Sequence, residues 1–189
     1  MKNKLLLIII FMLFTFPVFS QSKSLVTSYL ATLFQIVEHK KTEEFYATLY
    51  PKFKEQIPED QISSFLGELH SNPNFKTEIK NSKIIEIGKI IKDKNKAYAL
   101  VDYVSETHIE FTDKATEALM DKGRKHFKKL YGARYWYDDD KKLIVTSKDF
   151  KIVMVYENER WSHIPGAIKL KPYLNYWIEE KIIDSLFND

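Results

Sequence analysis

Trp161, Ser162 and His163 close a strand-like run, and alternation puts Trp161 and His163 on one face of it. If that face lines a cavity, Tyr98 or Tyr156 can join them. The four together, Tyr98, Tyr156, Trp161 and His163, would hold a small ligand by ring stacking and hydrogen bonds. The competing account is ordinary packing of aromatics against a helix. A second set is Glu106, His108 and Glu110, at alternate positions and therefore on one face. As chemistry they would be a base with its orienting carboxylates. The opposite positions, Tyr103, Thr107, Ile109 and Phe111, are the more apolar, so the His108 face is expected to meet solvent. Asp102, the one acid in the middle of a central strand, falls on that same outward face.

Other chemistries lack their residues. There is no glycine-rich phosphate loop, no nucleophile elbow, no metalloprotease pair and no paired-histidine spacing. His39, His70, His108, His126 and His163 are scattered, and His39 and His70 sit at helix ends, where a cation favours the dipole. The chain has no cysteine, which rules out thiol catalysis, zinc–cysteine sites, iron–sulfur clusters and a lipid-carrying cysteine. Asp138, Asp139 and Asp140 lack the spaced oxygens, central glycine and distal glutamate of a calcium loop, and read as a hairpin tip. Lys122, Arg124, Lys125, Lys128 and Lys129 cover the outer face of one helix. No catalytic residue, metal or cofactor is assigned.

The amino end sets the compartment. Lys2 and Lys4 precede an apolar run over residues 5–18, broken only by Thr15 and Pro17, and Val18 and Ser20 suit a signal peptidase. Residues 1–20 are expected to be a cleaved signal peptide, with the cut before Gln21. The run is shorter than the roughly 20 apolar residues of a membrane span. Lys2 and Lys4 are the only charges before the cut, so its removal takes the net charge from +3 to +1. A near-neutral chain gives no argument for nucleic acid. The protein is expected in the periplasm or secreted, not as a lipoprotein, without stable membrane insertion after processing. Its partner is an unidentified small ligand or an envelope protein.

Residues 21–189 fit one domain, stable through its core alone. Helical spacing predicts a first helix over residues 25–39, capped by Ser24, with Leu25, Tyr29, Leu33, Ile36 and Val37 inward. A second starts at Thr42, with Phe45, Leu49 and Phe53 apolar. A third begins at Pro58, carries Ile62, Phe65, Leu66 and Leu69, and stops at residues 71–74. A long antiparallel hairpin follows, residues 76–91 and 97–111 around a turn at 93–96. Asp113 is read as the cap of a helix to Tyr131, with Ala115, Ala118, Leu119, Phe127 and Leu130 inward and Gly132 as its stop. Two more hairpins are expected, 134–137 with 143–146, and 149–157 with 160–164. An amphipathic helix over about 170–187 ends the chain, lined by Leu174, Trp177, Ile178, Ile182 and Leu186.

This order, with the strand Phe150 to Glu157, its charged turn and Trp161 just beyond it, resembles the nuclear transport factor 2-like (cystatin-like α+β) superfamily, among its exported bacterial members. The likeness covers residues 25–164; the helix after Asp113 and the carboxy-terminal helix look like additions. It implies amino-terminal helices packed on a curved antiparallel sheet, a cone with a cavity at its open end. It fixes no function, because that fold serves enzymes and binders alike. Three classes follow: a noncatalytic exported binding or interaction module, which leads; an isomerase or dehydratase; and a structural partner in an envelope complex. A sealed or aliphatic pocket would favour the last, and a buried carboxylate in an open cavity the second.

Overall fold

The computed structural model describes residues 22–70 and 72–188, with the side chains of Phe65, Leu66, Glu68, Leu69 and His70 left out. The expected signal peptide, the cut before Gln21 and the inward placing of Phe65, Leu66 and Leu69 therefore lie outside the described residues. The elements, in order, are α1 (Lys23–Glu38), α2 (Thr42–Thr48), α3 (Pro51–Lys54), α4 (Glu59–His70), β1 (Phe75–Ile87), β2 (Ile91–Asp93) and β3 (Lys96–Phe111). Then come α5 (Glu117–Tyr131), a 3-10 turn (Gly132–Arg134), β4 (Tyr135–Asp138), β5 (Leu143–Glu157) and β6 (Arg160–Ile164). The chain closes with α6 (Ala167–Leu170), a 3-10 helix (Lys171–Tyr176) and α7 (Glu180–Phe187). The fold is α+β: amino-terminal helices on a curled, cone-like antiparallel sheet, with a carboxy-terminal helix added.

The sheet runs β1-β3-β5-β4, with β2 beside β3 and β6 beside β5. Its two faces divide by alternation. On what we call the inner face lie Ala97, Ala99, Val101, Ile152, Met154, Tyr156 and Trp161, packed against Val26, Leu30 and Leu33 of α1. Further along that face Ile109, Phe111 and Ile144 pack on Met120 of α5. The outer face carries Tyr98, Val153, Val155 and Ile164, covered by Leu49, Tyr50 and Phe53 and by Leu174, Trp177, Ile178, Ile182, Ile183 and Leu186. Sheet coverage on both sides is the layered solution that buries two apolar faces of one sheet.

Several sequence expectations need correction. On α1 the buried stripe is Val26, Leu30, Leu33 and Ile36: Leu33 and Ile36 are as expected, Val26 and Leu30 replace Leu25 and Tyr29, Leu25 is exposed, and the cap position is Ser22, not Ser24. The cap of α5 is Thr116, whose hydroxyl accepts from the Leu119 amide at 3.3 Å, not Asp113. Of the expected inward residues, Ala115 and Phe127 do pack on the Ile109, Phe111, Met120 and Ile144 cluster, while Ala118 and Leu130 are exposed, and Met120 is the fully buried residue of the helix. A Cβ on Gly123 would sit 2.9 Å from the Phe111 ring, so this close approach turns that side of the helix to the sheet. Gly132 does end the helix, at φ 56°.

The expected strands 143–146 and 149–157 are one continuous strand, β5, in register with β3 from Glu110↔Leu143 to Ala97↔Tyr156. The polar stretch Ser147, Lys148, Asp149 reads as a break in sequence, but the pairing with β3 carries straight through it. The expected terminal helix is likewise broken. Pro172 sits at the start of a 3-10 segment, where its missing N–H costs nothing, and α-helix resumes only at Glu180. Its expected lining residues, Leu174, Trp177, Ile178, Ile182 and Leu186, are all buried.

Candidate functional site

The four residues read as a possible pocket do not share one. Three lie on the inner face. Tyr156 pairs with Trp161 across the β5–β6 hairpin, rings 5.4 Å apart, and Met154 pairs with His163. Tyr98 is on the outer face. The register pairs Ala97 with Tyr156 and Tyr98 with Val155, so even positions of β3 share a face with odd positions of β5. That offset is invisible in the sequence and removes Tyr98 from the set. Burial pushes the Tyr98 hydroxyl up to about 12, within the outer cluster.

Trp161 is only 9% exposed and packs in the α1 cluster. His163 has no exposed surface at all. Its position follows from the crossing of α1 and α2 over β6. Leu49 forms a parallel bridge to His163, and the Tyr50 amide donates to the His163 carbonyl at 2.8 Å. Phe45 meets the imidazole edge-on at 5.5 Å. The Tyr29 hydroxyl donates to the Thr48 carbonyl at 2.8 Å, and its oxygen lies 3.0 Å from His163 Nδ1. A carbonyl can only accept, so the hydroxyl proton is committed to Thr48 and Nδ1 must be the donor to Tyr29. The bare nitrogen is then Nε2, which has no partner among the described residues. Burial pushes the imidazole down to about 3, opposed only by the Thr48 carbonyl, so His163 is neutral near pH 7. Burial also raises the Tyr29 hydroxyl. The set is a sealed hydrogen-bonded latch joining α1, the end of α2 and β6, and no ligand route to it is visible among the described residues.

Between α1 and α5 the inner face is also occupied. Phe34, Tyr103 and Phe150 form a continuous stack, each step 5.3 Å. Burial raises the Tyr103 hydroxyl to about 12. Ser82 and Ser105 hydrogen-bond at 2.6 Å beside the bulge in β1.

The ionisable groups gather outside. Glu106, His108 and Glu110 do face away from α1, and His108 Nε2 is 3.0 Å from Glu106, which also accepts from Asn81 at 2.7 Å. The His108 contact, then Asn81, holds the Glu106 carboxyl below the usual range. Asp102 is likewise outward. Both its oxygens accept from Lys151, at 2.5 and 2.7 Å, directly across the β3–β5 pairing. They line a crevice of about 160 Å³ under α7, with Glu86, Leu100, Ser185 and Leu186. That is well below the 300–1,000 Å³ of typical small-molecule sites. Sequence reasoning noted Asp102 but could not place α7 above it. A further cluster was missed: the Tyr50 hydroxyl donates to Glu157 at 3.1 Å, and Lys96 pairs with Glu157 at 2.8 Å. Burial works against Glu157, yet its hydrogen bonds from Lys96 and Tyr50 prevail and keep it below the usual range.

Among the described residues no group of histidines and carboxylates has metal-holding geometry, and no helix is long and apolar enough to cross a membrane. No family model, curated protein or solved structure matches the chain.

Proposed function

We propose that this chain is an exported, noncatalytic interaction module that recognises a partner protein on its outside. One observation carries the reading. The face that the superfamily resemblance would leave open is occupied along its length, by α1, by the Phe34–Tyr103–Phe150 stack and by α5. A site for an apolar ligand needs a concave, largely apolar cavity with a few convergent polar groups. Here Tyr29, His163 Nδ1, Ser82 and Ser105 are bonded to one another or to backbone, and the two groups left without a partner among the described residues, His163 Nε2 and Trp161 Nε1, are both buried. A sealed face moves the balance from a small ligand toward an envelope partner. Kinship with the nuclear transport factor 2-like superfamily is part of the same proposal, supported by the order of helices, long hairpin and late tryptophan. Export is supported by the basic start and apolar run over residues 2–18.

The isomerase or dehydratase reading would need a carboxylate free to take a proton inside an apolar cavity. Asp102, the acid suggested for it, is instead bonded to Lys151 at a half-open crevice. Titrating isotope-labelled protein with a panel of small apolar and steroid-like compounds tests the proposal. Amide and indole resonances of Tyr29, Trp161 and His163 should not move. Saturable shifts confined to those residues would refute it and restore the enzyme or ligand-cavity reading.

A further inference from the structure

The second edge of β5 is open in its middle. Along its first edge β5 pairs with β3 almost end to end. Along its second edge β4 takes residues 143–146 and β6 takes residues 153–157. Residues 147–152 pair on that side with nothing, a gap of six residues or about 20 Å. The direction of each backbone group follows from the β5–β6 turn. Asn158 and Glu159 both have positive φ, and Glu157 and Arg160 close this two-residue hairpin, so their N–H and C=O groups face each other. Alternation then aims the N–H and C=O of Ser147, Asp149 and Lys151 into the gap, and those of Lys148, Phe150 and Ile152 at β3. The Phe111 amide bonding to the Lys142 carbonyl at 3.0 Å gives the same parity at the far end. Three donors and three acceptors thus face the gap with no backbone partner among the described residues.

We propose that this gap is a docking site for an extended peptide segment of the partner, which adds as a strand antiparallel to β5. The inference rests on the reading of the chain as an interaction module and names the partner's chemistry. Unpaired strand edges are templates for such addition. A second copy of this chain does not fit. Its β5 edge is flanked by its own β4 and β6, which would collide with β4 and β6 here. A single peptide whose ends leave the sheet plane has no such conflict. The 3-10 turn at 132–134 and the segment 165–170, which carries α6, lie against β5 at the two ends of the gap, and Arg134 reaches across to Asp149 at 2.7 Å.

Cross-strand pairing specifies the guest. Running from β6 toward β4, its residues oppose Ile152, Lys151, Phe150, Asp149, Lys148 and Ser147 in turn. The matching pattern is apolar, acidic, apolar, basic, acidic, polar. The basic residue would replace Arg134 on Asp149, and the second apolar residue would extend the Phe150–Tyr103 stack.

The test uses the processed chain and a capped peptide of valine, glutamate, valine, lysine, glutamate and threonine. Without peptide, the amides of Ser147, Asp149 and Lys151 should exchange fast while Lys148, Phe150 and Ile152 exchange slowly. With peptide, the first three should become protected. Methylating the peptide nitrogens at positions two, four and six should abolish binding, and methylating positions one, three and five should leave it. Lys148→Glu should weaken binding by up to about fivefold, the size of one cross-strand charge pair, and lysine at peptide position five should restore it. Slow exchange at Ser147, Asp149 and Lys151 in the free protein would overturn the open edge while leaving the interaction reading intact. An open edge with no binding, or equal binding of both methylated peptides, would overturn the docking.

Discussion

Acidification should cost the fold the stability tied to His163 before it protonates the surface carboxylates. In the fold the imidazole is fully buried, with Nε2 unpartnered and its pKa lowered to about 3 by that burial. In the unfolded chain an imidazole takes a proton near pH 6.5. A lowered folded pKa means that the unfolded state binds the proton first. The stabilisation is therefore complete above about pH 6.5 and is lost as pH falls from there toward 3. Between pH 7.5 and 5.0 the loss is about 2 kcal/mol, from roughly 1.4 kcal/mol for each pH unit below 6.5. The carboxylates held low, Glu78, Glu106 and Glu157, contribute in the same direction only further down the scale. The groups facing His163 supply no negative charge to offset this: Tyr29 from α1, Phe45 and Thr48 from α2 and Met154 from β5, with Arg160 near Tyr29. Urea melts of the natural chain and of His163→Gln at the two pH values isolate the effect. The stability gap between the two proteins should shrink by about 2 kcal/mol on acidification. An unchanged gap would refute the sealed latch, because a solvent-reachable imidazole titrates alike in both states.

Three further outcomes follow from the packing and the sequence. Trp161→Ala removes a side chain shared by α1 and the β5–β6 hairpin, and should cost about 3–5 kcal/mol in denaturant melts; a change near zero would make Trp161 a surface platform. Gly123→Ala places a Cβ 2.9 Å from the Phe111 ring and should destabilise by about 1–3 kcal/mol despite the better helix propensity of alanine. A neutral or stabilising result would show that α5 sits further from the sheet. Mass spectrometry of the exported protein should find its amino terminus at or near Gln21, and an intact Met1 on a membrane-bound product would contradict export by cleavage.

What the sequence revealed depended on how local each determinant is. Turns were legible because their residues carry them: Lys94, Lys142, Asn158 and Glu159 all adopt positive φ at the expected hairpin tips. The outward face of Glu106, His108 and Glu110 was legible because Ile109 and Phe111 leave no alternative. Register was not, since it depends on pairing between distant strands, and alternation within β3 alone cannot say that Tyr98 faces away from Tyr156 and Trp161. The continuity of β5 through Ser147, Lys148 and Asp149 was hidden for the same reason, and with it the open edge that those residues form. The first half of the α1 stripe, Val26 and Leu30 in place of Leu25 and Tyr29, was not legible because residues 25–37 offer two overlapping apolar faces that share Leu33 and Ile36. Which of them packs is decided by Ala97, Ala99 and Val101, whose small side chains admit the helix. The sealing of His163 needed the α2–α3 junction to cross β6, a contact of residues more than a hundred positions apart.

Acrylamide quenching of Trp161 fluorescence tests the closed inner face most directly. The protein has three tryptophans, and Trp136 is 55% exposed, so Trp136→Phe with Trp177→Phe leaves Trp161 as the sole emitter. Circular dichroism first confirms that the double variant is folded. A closed face predicts blue-shifted emission and weak quenching, unchanged when small apolar compounds are added. Red-shifted emission quenched as strongly as free tryptophan, or emission that responds saturably to such a compound, would show an open cavity at Trp161 and contradict recognition on the outside.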